Sequence, residues 1–138
     1  MNKTHTTNYK DTFIEIAEDS TTAKGEILSS KGGSKTVAGM QFEMVANHPY
    51  TYTSDDVLFQ VYAERKDIPE SEIKAVREQF FSKGQPCLRA SPLTKSYVWG
   101  VHSDKDGKIA IYGRESEAYE KFSQDKSLIV VKAMKSKR

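Results

Sequence analysis

The run from Tyr97 to Tyr112 constrains this chain most. Tyr97 to His102 and Lys108 to Tyr112 change character with period two, and between them Ser103-Asp104-Lys105-Asp106-Gly107 is a polar turn ending in glycine. Two strands joined by so short a connection pair antiparallel, because a parallel partner needs a crossover of a dozen or more residues. Whatever else the chain builds therefore packs around an antiparallel hairpin, and the regular βαβ alternation of a doubly wound sheet is excluded.

The flanking segments supply the other layers. Thr12 to Ala17 is short and rich in Ile and Phe, which predicts a strand. Residues 21–35, with Gly32 and Gly33 among Ser and Lys, read as a mobile loop. Thr36 is placed to cap a helix whose Val37, Met40, Met44 and Val45 share one face, with Pro49 beyond its end. Thr53 or Ser54, followed by Asp55 and Asp56, starts a helix over Val57 to Arg65, although Val57 to Tyr62 also has the composition of a strand. Asp67, Pro69 and Glu70 open another helix with Ile73, Val76, Phe80 and Phe81 as its buried stripe and Gly84 as its stop. Cys87 to Ala90 reads as a strand, Arg114 to Phe122 as an amphipathic helix using Ala118, Tyr119 and Phe122, and Leu128 to Val131 as a last strand. The expectation is one α+β domain over residues 1–138, with a mostly antiparallel sheet and helices mainly on one face. The other face would stay partly solvated, an open floor for a ligand or partner.

A chain of 138 residues buries roughly 68–70% of the surface its unfolded form exposes, enough for one core. The 21 basic and 19 acidic residues give a formal net charge of +2, too even a balance to indicate a nucleic-acid or membrane-surface protein. From Lys126 to Arg138 stand five basic residues and no acidic one, so a mildly acidic body ends in a basic tail, densest near residues 132–138. The single Cys87 rules out an intramolecular disulfide framework and a Cys-rich zinc site. Together with a polar N-terminus and no long apolar stretch, it predicts a cytoplasmic protein without a membrane span.

The candidate chemistry gathers around the hairpin. Alternation places Val98, Gly100 and His102 on one side and Trp99 and Val101 toward the core, so Gly100 would leave space beside an imidazole able to act as acid or base. Asp104 and Cys87 are the side chains that could assist His102, Cys87 only with a base in reach. Arg89, facing inward, would need an anionic partner, either Asp55, Asp56 or a ligand's carboxylate or phosphate. Three familiar motifs fail on spacing. Gly32-Gly33-Ser34-Lys35 lacks the Walker pattern, and Asp104 to Gly107 fails as a calcium loop because Gly113 would stand where a bidentate acid is needed. The aromatics lack the basic-Gly-aromatic-Gly-aromatic string of an RNA-binding sheet. No metal site and no cofactor are expected.

The stretches Pro49 to Phe59 (PYTYTSDDVLF), Lys83 to Leu93 (KGQPCLRASPL) and Trp99 to His102 (WGVH) resemble a family of small bacterial single-domain proteins of unknown function, over nearly the whole chain. The resemblance implies a stand-alone bacterial protein and brings no activity or site residue with it. On the residues alone, the favoured expectation is a module that binds a small anion or a protein partner at the open sheet face through Arg89, His102 and Asp55 or Asp56. The alternative is a small enzyme using His102 as acid or base. Nucleic-acid binding through the tail and aromatics is a third reading.

Overall fold

A computed structural model describes residues 5–17, 36–95 and 97–134. Strand β1 (Thr12–Glu15) lies inside a four-stranded sheet of order β3-β2-β1-β4, with β2 Trp99–Ser103, β3 Ile109–Gly113 and β4 Ile129–Lys132. The hairpin forms where the sequence puts it, with Val101 opposite Ile111 and Ser103 opposite Ile109. Asp104 Oδ1 accepts hydrogen bonds from the Asp106 and Lys108 amides, both at 2.9 Å, and Gly107 takes φ 81°, so the acid and the glycine are spent on the turn. β1 pairs antiparallel with β2 but parallel with β4, which makes the sheet mixed while two of its three pairings stay antiparallel.

Helices follow their caps. Thr36 accepts from the Gly39 amide at 3.0 Å and starts α1 (Val37–Asn47). Thr53 and Asp56 form a reciprocal capping box that starts α2 (Ser54–Arg65), which decides the helix-or-strand ambiguity of Val57 to Tyr62. That ambiguity has a physical origin. α2 is buried on two sides, with Val57 in the sheet-facing core and Phe59 and Ala63 packed against α3 (Ile73–Phe80), so apolar residues recur more densely than one helical stripe requires.

Several expectations are corrected. Asp67 does not cap α3: it sits at φ 51°, and a 3-10 turn over Glu70–Glu72 preceded by Pro69 leads into the helix with no side-chain cap. Cys87 to Ala90 is not a strand. Leu88–Ala90 forms a 3-10 turn, with Ala90 N bonded to Cys87 O at 2.9 Å, and runs into the short α4 (Pro92–Lys95). Proline at the first position of α4 and Ser91 Oγ accepting from the Leu93 amide favour helical over extended backbone there. On α1, Val37 is 37% exposed while Ala38 and Gln41 are buried in its place. The loop foreseen at 21–35 lies outside the described residues, and so does the tail beyond Met134.

The two faces of the sheet are covered unequally. Ile14, Val101 and Ile109 face Val45 of α1, Val57 of α2 and Leu88, and this is the main core. The opposite face, expected to be open, carries α5 (Glu117–Gln124), whose Tyr119 and Phe122 rings lie 5.1 and 5.3 Å from the Phe13 ring. Gly100 is where they fit: a Cβ there would stand 2.6 Å from Phe13 Cζ and 2.7 Å from Tyr119 Cε2. Its missing side chain holds no ligand space; it is filled by the aromatic pair. Gly100→Ala is therefore expected to destabilise by about 1–3 kcal/mol through overpacking, read as a lower urea midpoint at unchanged slope.

Candidate functional site

His102 lies on the α5 face. Its Nδ1 is 2.7 Å from Tyr50 Oη, which is 2.9 Å from Tyr112 Oη, and its ring stacks on Phe122 at 4.2 Å between centroids. Tyr50 reaches it from a left-handed backbone, φ 57°, a conformation that costs a bulky residue about 1–3 kcal/mol. With His102 neutral and its proton on Nε2, the chain of donors runs from Tyr112 to Tyr50 to Nδ1. Burial pulls the His102 pKa below its ordinary 6.5, against the opposing charges of Asp104, Asp11 and Asp125. Burial and the Tyr112 hydroxyl push Tyr50 well above the ordinary tyrosine range, so it stays a proton donor. Asp104 thus acts on His102 through charge alone, its carboxylate being committed to the turn.

The other candidates stand elsewhere. Leu88 belongs to the core on the Val101 face, so the Cys87–Arg89 segment and His102 lie on opposite sides of the sheet. Cys87 Sγ is 3.6 Å from Tyr9 Oη, not beside an imidazole. Burial and the Cys87 contact raise the Tyr9 pKa, and the Arg89 guanidinium pulls the other way. Arg89 Nε donates to the Lys132 carbonyl at 2.7 Å, while its own carbonyl accepts from the Met134 amide at 2.8 Å. The expected anionic partner is not needed: this arginine is only half-buried, and it ties the 3-10 turn to the end of β4. Asp55 is a clamp. Its carboxylate accepts from Thr6 Oγ1, Thr7 N and Thr7 Oγ1, each at 2.7 Å, fastening the N-terminal segment to α2. Asp56 caps α2 and bonds Arg77 at 2.9 Å, and these contacts hold its carboxyl below the usual carboxylate range despite burial. Arg89, His102, Asp55 and Asp56 each have separate partners and do not form one site.

What the structure brings together instead is a cavity of about 320 Å³ between α1, α2 and residues 85–91. Leu58, Val61, Tyr62, Phe80 and Pro86 supply apolar walls, Gln41, Ser91 and Cys87 add polar atoms, and Arg65 and Lys66 stand exposed at its edge. Its size falls at the lower end of the range for small-ligand sites, roughly 300–1,000 Å³. A larger groove of about 790 Å³ runs along Met40, Ala63, Ile68 and Ile73, but it is shallow and its border mixes Glu64 and Asp67 with Arg65, which favours no ligand charge. Sequence reasoning missed the cavity because its walls come from three separated segments. The available signal was the surplus of apolar residues on α2, where Leu58 and Tyr62 lie one turn apart and only partly buried, Leu58 at the margin of the main core and Tyr62 at that of the second cluster.

Among the described residues no group of three or more His, Cys, Asp or Glu side chains could hold a metal ion, and no helix is long and apolar enough to cross a membrane. The fold and cavity define a small α+β domain with an apolar pocket edged by basic residues. The chain belongs to a family of unknown function (DUF6157), whose model matches residues 4–138. No curated protein and no solved structure matches it.

The depressed His102 pKa has a measurable consequence. The unfolded chain takes up this proton first as pH falls, so stability declines on acidification through and below the ordinary value of 6.5. Denaturant titrations from about pH 7 to 5 should show that decline in the native protein and a shallower one in His102→Gln, above the range near pH 4 where carboxylates such as Asp56 take over. An unchanged slope in the variant would show that His102 does not set it.

Proposed function

We propose that this protein is a binding module for a small amphipathic anion, held in the cavity between α1, α2 and residues 85–91. The observation that carries this reading is the pairing of apolar walls with Arg65 and Lys66 at the edge. Both cations stand at the C-terminal end of α2, where helix carbonyls offset part of their charge. The walls therefore supply most of the affinity, and the charges select an acid over its neutral analogue. A reducing bacterial cytoplasm suits the lone thiol in the wall. Decanoate, as a probe, should raise the melting temperature in proportion to the logarithm of its concentration and slow alkylation of Cys87 by iodoacetamide. Ala90→Phe, which fills the cavity, should remove both effects while leaving the circular dichroism spectrum intact. Decanol shifting the melting temperature as much as decanoate would overturn the anionic part of the reading, and no shift from either would overturn the site.

A second reading is acid–base catalysis by His102, favoured by the strained Tyr50 that aims its hydroxyl at Nδ1. If it holds, Tyr50→Phe lowers turnover of a substrate found by activity screening at least tenfold with little change in binding. Equal rates in both proteins would assign the network to packing of α5.

A further inference from the structure

Gln41 is 2% exposed and lines the cavity from α1. Its side chain makes one hydrogen bond among the described residues, to Ser91 Oγ at 2.6 Å. Which end of the amide makes that bond follows from Ser91: its oxygen accepts from the Leu93 amide at 3.1 Å, and its hydroxyl proton needs an acceptor, which Gln41 Oε1 provides. The two N–H donors of Gln41 Nε2 are left over. They are not sealed in protein, since the enclosed side-chain polar atom without a partner among the described residues is Ser123 Oγ. Gln41 lines the cavity together with Leu58, Val61 and Pro86, so its amide donors, without a partner among the described residues, are at hand for a guest there. A donor so placed becomes costly once an apolar guest shuts it off from water, unless the guest itself supplies an acceptor.

We propose that Gln41 is the specificity-determining residue of this cavity and that the ligand is an apolar acid carrying an internal carbonyl, such as a medium-chain keto acid. The proposal rests on the reading of the cavity as an anion site and adds a third recognition element to it. The chain lies on the apolar walls, the carboxylate faces Arg65 and Lys66, and the carbonyl oxygen accepts from Gln41 Nε2. A plain fatty acid leaves that donor unpaired, and a hydroxyl in place of the carbonyl would have to find an acceptor of its own.

The test is calorimetric titration of the native protein with decanoate, decanol and a series of oxodecanoates carrying the carbonyl at successive positions. One oxodecanoate should bind roughly fivefold to tenfold tighter than decanoate, the yield of one well-placed hydrogen bond to a donor otherwise unpaired. In the double variant Gln41→Met, Ser91→Ala, which removes both ends of the internal hydrogen bond, that preference should vanish, every oxodecanoate binding no tighter than decanoate binds to the same variant. Decanoate binding with every oxodecanoate equal to it or weaker would overturn the role of Gln41 and leave the anion site standing. Loss of decanoate affinity in the double variant with its circular dichroism spectrum unchanged would also overturn it, by placing the carboxylate at Gln41. Failure of all the acids to bind would sink the anion reading itself, and this inference with it.

Discussion

Burial of both faces of β1 is the constraint on which the rest of the structure depends. Phe13 and Ile14 are adjacent in sequence and point to opposite sides of the sheet, yet they are 0% and 1% exposed. Each face must then be covered by something apolar, and the chain supplies α1 and α2 with Leu88 on the Ile14 side and α5 on the Phe13 side. Hydrophobic burial of this size, about 25 cal/mol for each Å² of apolar surface, is what pulls two distant helical regions onto one strand. β4 completes the arrangement from the end of the chain, pairing parallel with β1 so that β1 has a hydrogen-bonded neighbour on each edge.

That central placement explains how polar residues near the hairpin are used. A sheet closed on both sides has little room for unpaired polar groups, and those at its margins are absorbed into structure. Asp104 holds the turn, Asp55 fastens the N-terminal segment, and Arg89 secures β4. His102 is drawn under α5, where Phe122 covers one ring face and Tyr50 meets Nδ1. The cavity lies away from the sheet, where α2 separates two apolar clusters and residues 85–91 leave a space beside Leu58 and Tyr62.

Most of the secondary structure was legible locally. Thr36 and Thr53 announce their helices through side-chain oxygens that accept from amides three residues on, and the hairpin announces itself through period two and Gly107. The misreadings are also local in origin. Cys87 to Ala90 looks extended because nothing in four residues distinguishes a strand from a turn between prolines, and Asp67 looks like a cap because its spacing to Glu70 is right although its own backbone is left-handed. The candidate site fared differently: of Arg89, Cys87, His102 and the Asp55–Asp56 pair only His102 lies on a strand, under α5, while the 3-10 turn and the start of α2 hold the others with partners of their own.

The sequence by itself determined the α+β class, the hairpin, the starts of α1 and α2, and the absence of a disulfide framework, because caps, turns and alternation act over a few residues and a lone cysteine has no partner in its own chain. Tertiary structure alone decided which faces are covered, that β4 runs parallel to β1, that Gly100 is filled by Phe13 and Tyr119, and that Gln41, Leu58, Pro86 and Lys66 share a cavity. Those outcomes depend on contacts between segments tens of residues apart, where the driving force is non-directional burial, and no local pattern states which apolar face meets which.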